Sequence, residues 1–77
     1  MIGRFEIRNL FNIYEFLEVN RSANTIKVLG RRYKNYIVLK IDLNEDQTVG
    51  KIEAFYFDYF SDAKNKFLKV FWRLTKI

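Results

Sequence analysis

Two side chains on which enzymes most often rely are missing: the chain contains neither cysteine nor histidine. Without cysteine there is no disulfide, no thiolate metal site and no thiol nucleophile, a composition that suits a reducing compartment. Without histidine the usual zinc ligand and the usual general base near neutral pH are both gone. Proline is absent too, and the three glycines are scattered, so no glycine-rich loop can grip a phosphate. No nucleophile elbow occurs, nor any acid–lysine spacing typical of nucleases. The carboxylates Asp42, Glu45, Asp46, Glu53, Asp58 and Asp62 read as solvated turns rather than as a magnesium site. The expectation is a protein that is not an enzyme and that carries no cofactor or metal. The opening residues, Met-Ile-Gly-Arg-Phe-Glu, hold no long apolar run. Neither a signal peptide nor a membrane span is expected, only a soluble cytoplasmic chain with no membrane partner.

What is present is dense in apolar surface. Hydrophobic residues make up 49% of 77 positions and aromatics 18%, enough to form one core despite the small size. Large rings bury much area per residue, which a short chain needs to offset its conformational entropy. The densest stretch is Phe55-Tyr56-Phe57-Asp58-Tyr59-Phe60. As a strand it would turn Phe55, Phe57 and Tyr59 to one side and Tyr56 to the other.

The hydrophobic spacing sets out the elements in order. Leu10, Ile13, Tyr14 and Leu17 recur at offsets of three and four, which predicts a helix over residues 8–19, with residues 2–7 a short strand or an early start to it. Residues 20–24 are turn chemistry. Thr25 to Leu29 reads as a strand closed by Gly30. Tyr36 to Leu43 is a clear strand, with Ile37, Leu39, Ile41 and Leu43 on one face, and residues 51–60 form the aromatic strand. In residues 61–77, Phe67, Val70, Phe71, Leu74 and Ile77 make an apolar stripe and Lys66, Lys69, Arg73 and Lys76 a basic one. That favours a helix with Ser61 or Asp62 as its N-cap. The expected fold is α+β: a single small domain over residues 1–77, α-β-β-β-α, with a three-stranded antiparallel meander packed by two helices. The alternative is that the last segment, with Leu68, Val70, Trp72 and Leu74 on one face, is a strand in a mostly-β sheet.

The formal charge of +5 is unevenly distributed. Residues 19–41 carry six basic side chains and no acid, residues 42–62 six acids and one lysine, and residues 63–77 five basic side chains and no acid. Arrays of this kind bind phosphate backbones without demanding much geometry from any one member. The candidate contacts are Lys64, Lys66, Lys69, Arg73 and Lys76, with Arg31, Arg32 and Lys34 as a second cluster. A solvated, lysine-rich helix face accounts for the same charges. At about 100° per residue Trp72 falls beside Lys69 and Lys76, which suits stacking on a base, an interface, or a wide buried face.

Residues 42–53 are similar to an EF-hand loop, with acids or amides at positions one, three and five and Glu53 at twelve, but the sixth position holds Gln47 where that loop needs glycine. A polar hairpin loop explains them better. Aligning the aromatic strand with the RNA-recognition-motif signature leaves Glu53 and Asp58 where rings are required, which excludes that family.

In length and element order, and in Gly50-Lys51-Ile52 followed by Ser61-Asp62-Ala63-Lys64-Asn65-Lys66, the chain resembles a double-stranded-RNA-binding domain. The resemblance implies RNA-backbone contacts from Lys64, Lys66 and Lys69. The family's glycine-proline-x-histidine loop is replaced here by Gly30-Arg31-Arg32-Tyr33-Lys34-Asn35. The hairpins of residues 36–57 also resemble those of small ribosome-dependent ribonuclease toxins, without the helical hairpin that precedes them there. The expected function is sequence-nonspecific binding to RNA or duplex DNA. The alternative is a small interaction or inhibitor protein of a virus or mobile element. It would act on a single host protein through Tyr56, Phe60 and Trp72, or form a homodimer through the aromatic strand.

Overall fold

The computed structural model describes the backbone of residues 4–75 and the side chains of residues 6–69. Arg73 and Trp72 lie in the last helix with their side chains outside the described set, and Lys76 lies outside it altogether. The order is α1 (Arg4–Phe11), β1 (Glu15–Arg21), β2 (Thr25–Arg31), β3 (Tyr36–Leu43), β4 (Val49–Phe57) and α2 (Phe60–Thr75). All four strands form one antiparallel sheet in chain order, β1-β2-β3-β4. The α+β class and the meander between two helices are as expected, but the sheet has four strands rather than three.

The additional strand comes out of the expected N-terminal helix, which ends early. Asn12 takes a left-handed backbone (φ 56°), a conformation asparagine tolerates better than most residues. The Ile13 N–H then donates to the Arg8 carbonyl at 3.0 Å, the six-to-one bond of a Schellman ending. The chain leaves the helix and enters β1 after Tyr14.

β2 and β3 are central and covered on both faces, so Ile37, Val38 and Leu39 are all fully buried. On the first face Ile26, Val28, Ile37, Leu39, Ile41 and Leu43 pack with Ile7 and Phe11 of α1 and with Ile13. On the second face Leu29 and Val38 pack under Ala63 and Phe67 of α2, flanked by Tyr36, Phe55 and Phe57. Phe55 and Phe57 thus turn to one side of β4, as expected, and pack against this cluster. Tyr59 does not: it follows the end of β4 and is exposed. The C-terminal segment is a helix, in line with its longer polar periodicity. It starts at Phe60, before either expected cap, where the Ala63 N–H donates to the Tyr59 carbonyl at 3.2 Å.

Lys27 lies on the second face, directly across from Lys40 of β3, and is only 1% exposed. Burial pushes its ammonium below the ordinary 10.5. The folded state therefore holds this proton less firmly than the unfolded chain does, and stability rises with pH between the lowered value and 10.5. Denaturation of the wild type and of Lys27→Met should accordingly converge, or cross in the wild type's favour, as pH climbs from neutrality toward that limit. A stability difference that does not change over this interval would contradict the assignment. Among the described residues no helix is long and apolar enough to cross a membrane.

Candidate nucleic-acid interface

The β2–β3 turn is built by close approach on both sides. A Cβ on Gly30 would lie 3.0 Å from Ile13 Cγ2 and 3.3 Å from Ile37 Cγ2, so a larger residue there would push these side chains back by a few tenths of an ångström. The Tyr14 N–H donates to the Arg31 carbonyl at 2.7 Å, fastening the α1–β1 connection beside the turn, and the Arg32 N–H closes the turn on the Asn35 carbonyl at 2.7 Å. The β4–α2 connection passes the same end of the sheet, where the Phe60 ring meets Tyr36 edge-on, centroids 5.8 Å apart.

Cations and rings alternate at this end. The Arg31 guanidinium lies 4.9 Å from the Tyr14 ring centroid, and its Nε and Nη2 donate to Glu15 Oε1 at 3.2 and 3.0 Å. The Arg32 guanidinium lies 5.0 Å from the Tyr56 centroid, and its buried Nε has no hydrogen-bond acceptor among the described residues. Lys34 is exposed and has no ion-pair partner among the described residues. Tyr33, between the two cations, is 86% exposed. Two open clefts flank it. One, of about 380 Å³, is lined by Asn12, Arg32, Tyr33, Lys34 and Asn35. The other, of about 230 Å³, adds Arg31, Tyr36 and Asp58 to the turn residues.

The helix lysines divide between two flanks. Lys64 leans toward β1, where its ammonium is ion-paired with Glu18 and lies 5.8 Å from the Phe67 centroid. Lys66 leans the other way, with Nζ 4.2 Å from the Phe55 centroid. Lys66 and Lys69 line a third cleft, of about 330 Å³, with Phe57, Asp62 and Asn65. The expected helix contacts are therefore not one surface: Lys66 and Lys69 stand together, while Lys64 is engaged elsewhere. Tyr56 and Phe60, the candidate interaction residues, are 50% and 46% exposed.

Tyr14 and Tyr33 are not among the sequence candidates, although both border the basic turn. For Tyr33 the signal is its place between Arg32 and Lys34. Tyr14 is hidden by its apparent membership of a helical apolar stripe. In the β3–β4 loop the polar groups bond to one another: Asp46 accepts from Thr48 Oγ1 at 2.5 Å and from its N–H at 3.1 Å, and Asn44 Nδ2 donates to Thr48 Oγ1 at 3.0 Å. These bonds hold the Asp46 carboxyl below the usual carboxylate range. Gln47 takes the left-handed backbone (φ 71°) that glycine would accept more readily.

Comparisons with protein families, with curated proteins and with solved structures each find no match for this chain.

Proposed function

We propose that this protein is a cytoplasmic nucleic-acid-binding domain that grips the phosphate backbone without reading base sequence. The observation that carries this reading is the β2–β3 turn, where Arg32 and Lys34 line an open cleft that no acid lines among the described residues. Lys66 and Lys69 form a second cationic surface on the α2 flank. Point charges at cleft walls suit phosphate oxygens, which need positive potential more than exact angles. Lys64 contributes less than the resemblance to double-stranded-RNA-binding domains implies, because Glu18 already neutralises it.

Titration of labelled mixed-sequence RNA and duplex DNA tests this. Binding to at least one of them should weaken log-linearly with salt, with a slope of about −0.7 to −0.9 per phosphate contacted. Undetectable binding of both at low ionic strength would end the proposal.

The half-exposed Tyr56 and Phe60, and the position of β4 at the sheet edge, favour a second reading: docking of a host protein, or of a second copy along β4. In that case capture from host lysate survives nuclease treatment, or the protein self-associates, and Tyr56→Ala abolishes either.

A further inference from the structure

The rings and cations of the β2–β3 turn point to one form of nucleic acid over another. We propose that this turn binds single-stranded nucleic acid, with an unpaired base stacked on Tyr33 and the adjoining phosphate held by Arg32 and Lys34. The inference rests on the phosphate-binding reading above and adds to it the state of the bases.

Three observations converge. Tyr33 is 86% exposed at the tip of the turn and lines both flanking clefts, so it divides them. An apolar ring this bare costs solvation without helping the core, and it gains where another flat π-surface covers it. Arg32 also lines both clefts. Its guanidinium is laid on Tyr56, and its Nε finds no acceptor among the described residues. Arg32 and Lys34 line both clefts, but only the smaller brings in an acid, Asp58, and the cation it adds, Arg31, is already paired with Glu15. The larger has no acid among the described residues. A phosphate therefore belongs in the larger cleft, and the base lies against Tyr33, where the carboxylate of Asp58 repels no charge of its own sign.

A duplex cannot use this arrangement. Its bases are stacked on one another inside the helix, so it can engage only Arg32 and Lys34, leaving the ring in water. A single strand engages both kinds of group at once, which is how sequence-tolerant strand binders combine stacking with a charged groove.

The test compares a labelled 12-nucleotide thymidylate strand (a length on the order of one binding site) with a duplex of the same length, by fluorescence anisotropy at low salt. The single strand should bind about tenfold or more tighter than the duplex. Tyr33→Ala should weaken single-strand binding about 5- to 150-fold, the equivalent of one base–aromatic stack, and leave duplex binding unchanged. Tyr33→Phe should restore it, and the salt dependence should be the same in all three proteins because the phosphate-binding cations are unchanged. Since Tyr33 supports no core contact, circular dichroism of the variants should match the wild type. If single strand and duplex bind equally and Tyr33→Ala changes neither, this inference is wrong while backbone binding stands. If neither nucleic acid binds, both fall together.

Discussion

Replacing Phe67 with alanine is expected to remove a large share of the domain's stability, about 3–5 kcal/mol. Phe67 is fully buried, and among the described residues it is with Ala63 the part of α2 that closes the second face of the sheet over Leu29 and Val38. Removing a buried phenylalanine side chain costs about 3–5 kcal/mol, because forfeited transfer energy is added to the cavity left behind. A domain of this size has a total stability of only ~4–12 kcal/mol at ~0.05–0.15 kcal/mol per residue. One substitution therefore removes much of what holds the fold. The neighbouring Leu68, 41% exposed, provides the control: Leu68→Ala should shift stability by no more than about 0.5 kcal/mol. Urea unfolding of both variants checks this. Comparable destabilisation by the two would mean that α2 docks through a different face.

Charge reversal should separate the two cationic surfaces. Arg32→Glu with Lys34→Glu, or Lys66→Glu with Lys69→Glu, should weaken nucleic-acid binding by about tenfold or more. Each pair should also flatten the salt dependence by ~2 in log–log slope, as expected when two phosphates are no longer neutralised. Lys64→Glu should behave differently. Its partner Glu18 sits across the α2–β1 gap, so reversal places two carboxylates together and lowers stability, with little effect on the salt slope. If the Lys64 variant alone fails to bind, the working surface is the β1 flank of α2. Arg73→Glu combined with Lys69→Glu extends the test to a residue whose side chain lies beyond the described set.

The regions legible in the sequence are those where one physical pattern dominates. In β3 the alternation of Ile37, Leu39, Ile41 and Leu43 matches the strand's bounds, since all four line the first face. In the C-terminal segment the cations and apolar residues keep a helical spacing over about three turns, and this outweighs the β-propensity of its rings. β1 reads as helix because Leu10, Ile13, Tyr14 and Leu17 keep offsets of three and four, although of these only Ile13 is buried, and the strand itself adds a second pair at helical spacing. A bulge at Leu17 interrupts its pairing, so that Phe16 lies opposite Gly30 and Glu18 opposite Leu29. The extra residue places Phe16 and Val19, three apart, on the same face of the sheet. Apolar residues three apart are what a helix also requires, and nothing in the local sequence distinguishes the two. The helix-ending signal, Asn12 before a buried Ile13, passes equally well for part of a polar helix face.

The site is legible only in part. Arg31, Arg32 and Lys34 are nearly contiguous, so their proximity needs no fold. That Tyr14 and Tyr56 join them depends on sheet register and on the Tyr14–Arg31 backbone bond, which are long-range facts. The separation of Lys64 from Lys66 follows from helix geometry alone, since two positions apart is about 200°. The family resemblance obscures it by grouping the two together.

The meander order has a kinetic consequence. Every strand pairs with its neighbour in the chain, and the turns between strands span only three to five residues. Each pairing closes a small loop, so the ordering cost is met in short steps rather than in one long closure. The sheet can grow hairpin by hairpin, each step on a scale of ~1–10 μs. Because the chain contains no proline, refolding also lacks the prolyl-isomerisation phase of ~10–100 s that delays many small domains.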